Sequence, residues 1–281
     1  QDVDQLVRTL ADRCLGTTAG ASHLHILLAN LLGLTPSLVA TTLAGLPRIA
    51  AELGKSPRTE FSAYRAFPEP GTDVQAALAR TLDRLHNLPK PGAKGFGIHP
   101  MLMSVLDAGL LAEFEPDLVT VASDEGATDT FFRTLCRLAA QSMVEEPDSH
   151  VKYGWTHCLT LPAAAWQLVR FTSSPALACV SAMLYFCGFR ASASGVALSE
   201  SLPYDPALED TRACPERLAT RASVRVDAHH VKYIAAIFEM LDRDPEAAPL
   251  YLAAADRLHR VWCEEVPDDA IGQHLLSLRG V

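Results

Sequence analysis

The chain has 281 residues, a formal net charge of -9 and a hydrophobic fraction of 49%, enough apolar content to build a sizeable core without staples. The acidic balance argues against nucleic acid as the main partner, because phosphate binding needs clustered Lys and Arg. No run of about 18 apolar residues predicts a membrane span, and no secretion-type leader opens the chain at Gln1, although sequence upstream of that residue is expected.

Hydrophobic periodicity predicts helices almost throughout. Over 2–14, Val3, Leu6, Val7 and Leu10 recur at helical spacing. Residues 22–33 are almost wholly apolar. Thr35-Pro36-Ser37 opens another helix reaching about Leu53, with Pro36 in its first turn. Residues 72–87 carry the clearest amphipathic pattern, with Val74, Ala77, Leu78, Leu82 and Leu85 on one face. Leu88-Pro89-Lys90-Pro91-Gly92 breaks it. Helices follow over about 100–113, 127–143, 150–170, 174–188, 227–243 and 245–263, with a less regular stretch at 189–211. No convincing strand alternation and no internal repeat is visible. The expected fold class is all-α: a single globular multi-helix domain over 1–281, with a metal site at its centre if the histidines described next converge.

Four histidines in four separate apolar segments carry the chemical interest: His23, His99, His157 and His229. Imidazole is the commonest protein metal ligand, and ligands this dispersed could meet only through the fold. Each also has a plainer reading. His23 and His25 open an apolar helix, where a histidine is more often a core or capping residue; two residues apart, they point to different sides. His99 precedes Pro100 and follows Gly95 and Gly97, near a helix start; the residues by themselves favour a partly exposed loop histidine there. His150 and His157 are seven apart on one predicted helix, with Thr160 a turn beyond His157 and Ala163, Ala164 and Ala165 following. His229 and Lys232 are i and i+3 and can reach one site. Against that, Val231, Ile234, Ile237, Phe238 and Leu241 form an apolar face nearer His230, and Lys232 falls on the polar side with Glu239 and Asp242. His229 and His230 therefore both stand as candidates. Seven cysteines with no C-x-x-C pair read as reduced thiols of an intracellular, cytoplasmic protein. No H-E-x-x-H, G-x-S-x-G, P-loop or G-x-G-x-x-G competes.

Taken in order, the histidine segments resemble the questin oxidase-like family, whose members include fungal oxygenases of anthraquinone-type polyketides. Ser22-His23 with the leucines after it matches an early segment. His99 with Leu102, Val105 and Gly109 matches a middle one. His157-Cys158-Leu159-Thr160 matches an H-x-V-T segment, and Asp227, His229 and Lys232 match D-x-H-x-x-K. Pro100 and Ala235 depart from the family pattern, and the chain is shorter than the fungal members.

The resemblance implies a non-haem iron oxygenase of secondary metabolism that uses O2 on an aromatic or quinone polyketide-like substrate, by ring oxygenation or C–C cleavage. It nominates His23, His99, His157 and His229 as ligands of Fe(II), with Lys232 as a carboxylated fifth ligand, and Lys232 and Thr160 as catalytic. It does not fix the reductant, NADPH or another. A carbamate would add one anionic oxygen to four neutral imidazoles. Its formation needs a neutral amine, which a free lysine with a pKa of about 10.4 supplies only if burial or a nearby cation depresses that value. Two other classes fit the same residues: a zinc- or other metal-dependent hydrolase or lyase, and a non-catalytic helical binding protein whose histidines pack.

Overall fold

The computed structural model describes residues 3–16, 23–32, 71–88, 98–145, 155–193 and 228–265, with 215, 218, 219 and 222 between the last two stretches. Among these residues there are ten α-helices, one short 3-10 turn and no strand, so the chain is all-α. The helices are α1 (Val3–Leu15), α2 (His23–Leu32), α3 (Val74–His86), α4 (Ile98–Asp107), α5 (Leu110–Val121), α6 (Glu125–Glu145), α7 (Thr156–Leu168), α8 (Pro175–Ala193), α9 (Ala228–Arg243) and α10 (Ala248–Glu265), with the 3-10 turn at Pro245–Ala247. The helix expected over about 36–53 lies outside the described residues, as do His150 and 194–211. No described helix is long and apolar enough to cross a membrane.

Two boundaries differ from the sequence pattern. The single helix expected over 100–113 is two, broken at Ala108-Gly109, where Gly109 has φ +70°, a left-handed conformation that only glycine adopts without strain. The second of the pair, α5, continues through Pro116, which lacks the N–H that would bond Ala112. That proline is a breaker signal in the sequence, overridden by the burial of Phe114, Leu118 and Val121. At α8 the helix runs past Gly188 to Ala193, because Leu184, Tyr185, Phe186, Cys187 and Phe189 are all buried and packing outweighs propensity.

The chain divides into two compact units, Gln1–Leu135 with Leu161–Ser192, and Cys136–Thr160 with Ala193–Val281. In the first unit α1 packs with α2, and α5 packs with both α3 and α4. Asp73 caps α3, its carboxylate accepting from the Gln75 and Ala76 amides at 2.9 and 3.2 Å. Asp124 caps α6 in the same way, accepting from Ala127 at 2.8 Å. Arg80 on α3 grips Asp117 on α5, with its closest contact at 2.6 Å, and Arg84 donates to the Glu113 carbonyl. Phe132 on α6 stacks on Trp166 of α7, whose indole N–H donates to Asp129 at 3.1 Å. Asp12 on α1 accepts from the Thr172 hydroxyl and from the amide and hydroxyl of Ser173, which fixes the segment leading into α8.

In the second unit α9 and α10 pack together across the 244–247 link. Asp244, buried at 2% exposure, ends α9. It accepts two hydrogen bonds from Arg137 of α6, at 2.8 and 2.6 Å, and one from the Tyr251 hydroxyl of α10 at 2.9 Å. The hydrogen bonds to Asp244 raise the Arg137 pKa, and burial raises that of Tyr251. Among the described residues, Cys14, Cys136, Cys158, Cys179 and Cys187 are buried and form no disulfide. Burial pushes the Cys14 and Cys187 thiols up to about 12 and raises those of Cys136 and Cys179 as well.

Candidate metal centre

The four nominated histidines come from four different helices: His23 lies on α2, His99 on α4, His157 on α7 and His229 on α9.

Three of the four are brought together. The ring nitrogens of His23, His157 and His229 all lie within 4.8 Å of one another. The His157 and His229 rings are 4.9 Å apart between centroids and inclined at 60°. His157 is buried, His229 half-buried and His23 exposed, so the group runs from interior to solvent. Three nitrogens bound to one first-row metal at about 2.1 Å each would lie about 3.0–3.4 Å from one another, so ring movements on the order of 1 Å would close this group around an ion. Among the described residues the group consists of imidazoles alone. Neutral nitrogen donors leave a bound ion its full charge and suit iron, copper or zinc. His99 opens α4, but its side chain lies outside the described residues.

The neighbouring candidates separate clearly. His230 faces the core, as the apolar pattern of α9 predicts: it is fully buried, and its ring stacks on His259 and Trp262 of α10, with centroids 5.7 Å away in each case. Val231, counted with the apolar face in the sequence, is 41% exposed; the buried face is His230, Tyr233, Ile234, Ala236, Ile237 and Met240. Of the adjacent pair, His229 belongs with His157 and His230 belongs to packing. Lys232, one turn after His229, is half-buried, and Glu239 pairs with Arg243 at 2.9 Å. Thr160 is buried and its hydroxyl donates to the Thr156 carbonyl at 2.8 Å, a bond within its own helix.

Two polar pairings escaped the sequence reading. One is that of His25, which is buried on α2 as its plainer core reading expects, with Nε2 hydrogen-bonded to Ser181 Oγ at 3.2 Å and its ring edge-on to Tyr185 at 5.8 Å. The other is the Asp244, Arg137 and Tyr251 group, for which the only sequence signal is an Asp-Pro step at the end of a helix. No protein-family model, curated protein or solved structure matches the chain.

Proposed function

We propose that the protein is a non-haem iron-dependent oxygenase acting on an aromatic or quinone polyketide-like substrate. The observation that supports it is the grouping of His23, His157 and His229, three residues whose order and flanking residues resemble the questin oxidase-like family. In this reading those three imidazoles hold Fe(II), joined by His99 and a carboxylated Lys232. When bound, the ion would supply one-electron chemistry with O2 that no side chain of the chain can perform.

The chain's own residues then do the rest. His157, buried on α7, fixes the inner side of the site and excludes water there. His229 and Lys232, one turn apart on α9, offer donors to the same face. His23, exposed, marks the solvent side, by which a flat aromatic substrate would approach. Metal analysis of protein purified without added metal, together with oxygen-electrode measurements on hydroquinone and anthraquinone substrates, tests the proposal. Iron near one equivalent with substrate-dependent oxygen uptake supports it; zinc with no uptake removes it.

A second reading has its own support. Three histidines with a solvent-side position is also the donor set of catalytic zinc, where bound water is the nucleophile. That reading makes the protein a metal-dependent hydrolase or lyase, and the same metal analysis separates the two.

A further inference from the structure

We propose that Tyr233 is the hydrogen-bond donor of the site: its phenol donates to a carbonyl oxygen of the aromatic substrate bound beside His157 and His229, an inference that rests on the reading of those histidines as a metal site for such a substrate. Tyr233 lies four residues after His229 on α9, and positions i and i+4 share one face of a helix. His157, His229 and Tyr233 all belong to the unit formed by Cys136–Thr160 and Ala193–Val281.

Tyr233 is fully buried, and among the described residues its hydroxyl has no hydrogen-bond partner. Packing does not call for that oxygen, since phenylalanine fills nearly the same volume without it. A buried hydroxyl left unmet carries a desolvation penalty, and such a group in a folded protein needs a reason. Tyr251, in the same unit, shows the alternative. It is equally buried, but its hydroxyl donates to Asp244 at 2.9 Å. There the fold supplies the acceptor. At Tyr233 none of the described residues does so, and a bound oxygen is the acceptor that the arrangement leaves.

The surroundings decide what kind of group the phenol is. Burial raises its pKa, and the thiols of Cys158, next to His157 on α7, and of Cys136 on α6 raise it further when ionised. Thiols are weak acceptors, and the phenol bonds to neither. Tyr233 therefore keeps its proton at neutral pH and acts as a donor, not as a base. An oxygen lone pair is what it fits. A site that offers a buried donor to one substrate oxygen also rejects the analogue lacking that oxygen, because the donor is then left unmet. Since the phenol is wholly buried, the acceptor reaches it as neighbouring side chains shift, the rotamer-scale adjustment common on binding.

Two probes of one flat shape make the test: anthraquinone-2-sulfonate, and anthracene-2-sulfonate, which lacks the two carbonyl oxygens. Wild type, Tyr233→Phe and Tyr251→Phe are titrated with both, with Zn(II) added as a redox-inert ion, and probe-free melts are recorded alongside. Tyr233→Phe should weaken anthraquinone-2-sulfonate binding by on the order of 10-fold and leave anthracene-2-sulfonate unchanged. The infrared carbonyl stretch of the bound quinone should move to higher frequency in that variant, as its hydrogen bond is lost. Without probe the variant should melt at or above the wild-type temperature, because the unmet hydroxyl is gone. Tyr251→Phe breaks a bond within the protein and should do the reverse, melting lower while keeping both affinities. Equal quinone affinity in wild type and Tyr233→Phe overturns the donor role and leaves the metal site and its substrate class standing. A Tyr233→Phe that melts clearly lower assigns the hydroxyl to an internal water and overturns the donor role as well. Wild type that binds neither probe removes the aromatic-substrate reading, and the role of Tyr233 with it.

Discussion

Asp244 and the histidine group are both polar centres in a largely apolar helical protein, but they are built on opposite principles. At Asp244 a carboxylate meets a guanidinium through two hydrogen bonds and a phenol through a third, so charge and hydrogen bonding close within the protein. At His23, His157 and His229 three copies of the same side chain come together, graded from buried to exposed. Like groups gathered at one point gain little from each other, and a cation is what would accept three nitrogen lone pairs at once. Closed chemistry of the first kind holds structure; gathered chemistry of the second kind is suited to a cation.

The sharpest way to break this comparison is Arg137→Leu. It leaves the Asp244 carboxylate buried without its cation, at a cost of about 3 kcal/mol, the lower end of the usual range because Arg137 itself is about a third exposed. Denaturant melts should show that loss while the metal content of the folded fraction stays at the wild-type value. A variant that lost metal and stability together would mean that the two centres are not separate devices.

The next effect belongs to the metal. A ligand present at about 100 times its Kd stabilises the fold by roughly 2.7 kcal/mol, so metal-loaded and chelator-treated wild type should melt several degrees apart. In His157→Ala that gap should vanish, since the buried member of the group is gone. Superimposable melts of wild type with and without chelator would place the histidines with packing instead.

A third kind of burial has no polar balance at all. The Cys14 thiol, with an ordinary value of 9.0, is pushed up to about 12 by desolvation. Above pH 9 the unfolded chain releases this proton and the folded chain retains it. The unfolded state then binds fewer protons, so stability falls as pH rises, from about 9 until the folded value is passed. At pH 10 the loss from this thiol is on the order of 1 kcal/mol. Cys14→Ala should therefore show a shallower decline between pH 8 and 10 than wild type in denaturant melts, whatever its offset at neutral pH. Parallel declines would mean that the thiol ionises as easily in the fold as in water.

Periodicity alone located most of the helices, because a chain this apolar can bury itself only through the faces that the pattern draws. It failed where tertiary burial overrode a local rule, at Pro116 inside α5 and Gly188 inside α8. The three histidines that meet were legible only as members of separate segments, since convergence is a property of the fold. The contacts of His25 with Ser181 and of Asp244 with Arg137 were illegible for a related reason: the partners lie 156 and 107 residues apart, and nothing local marks either pair. Lys232 and Thr160 show the limit from the other side. Their spacing from His229 and His157 is visible in the sequence, but spacing does not say where a hydroxyl proton goes, and that of Thr160 goes to Thr156.

The smallest effect gives the finest cut, because it separates neighbours in the chain. His229 and His230 differ by one position and by about 100° on α9, which sends one ring toward His157 and the other between His259 and Trp262. His229→Leu should abolish the chelator-sensitive melting shift and leave metal-free stability nearly unchanged, since that side chain is only half-buried. His230→Leu should do the reverse. It removes an aromatic stack, worth about 1 kcal/mol in the metal-free protein, and keeps the full metal-dependent shift. The aliphatic replacement fills a similar volume, so any larger loss would point to backbone rearrangement along α9. If both variants lost the metal shift equally, the core face and the ligand face of α9 would be a single coupled unit, and the division between closed and gathered chemistry would fail within one helical turn.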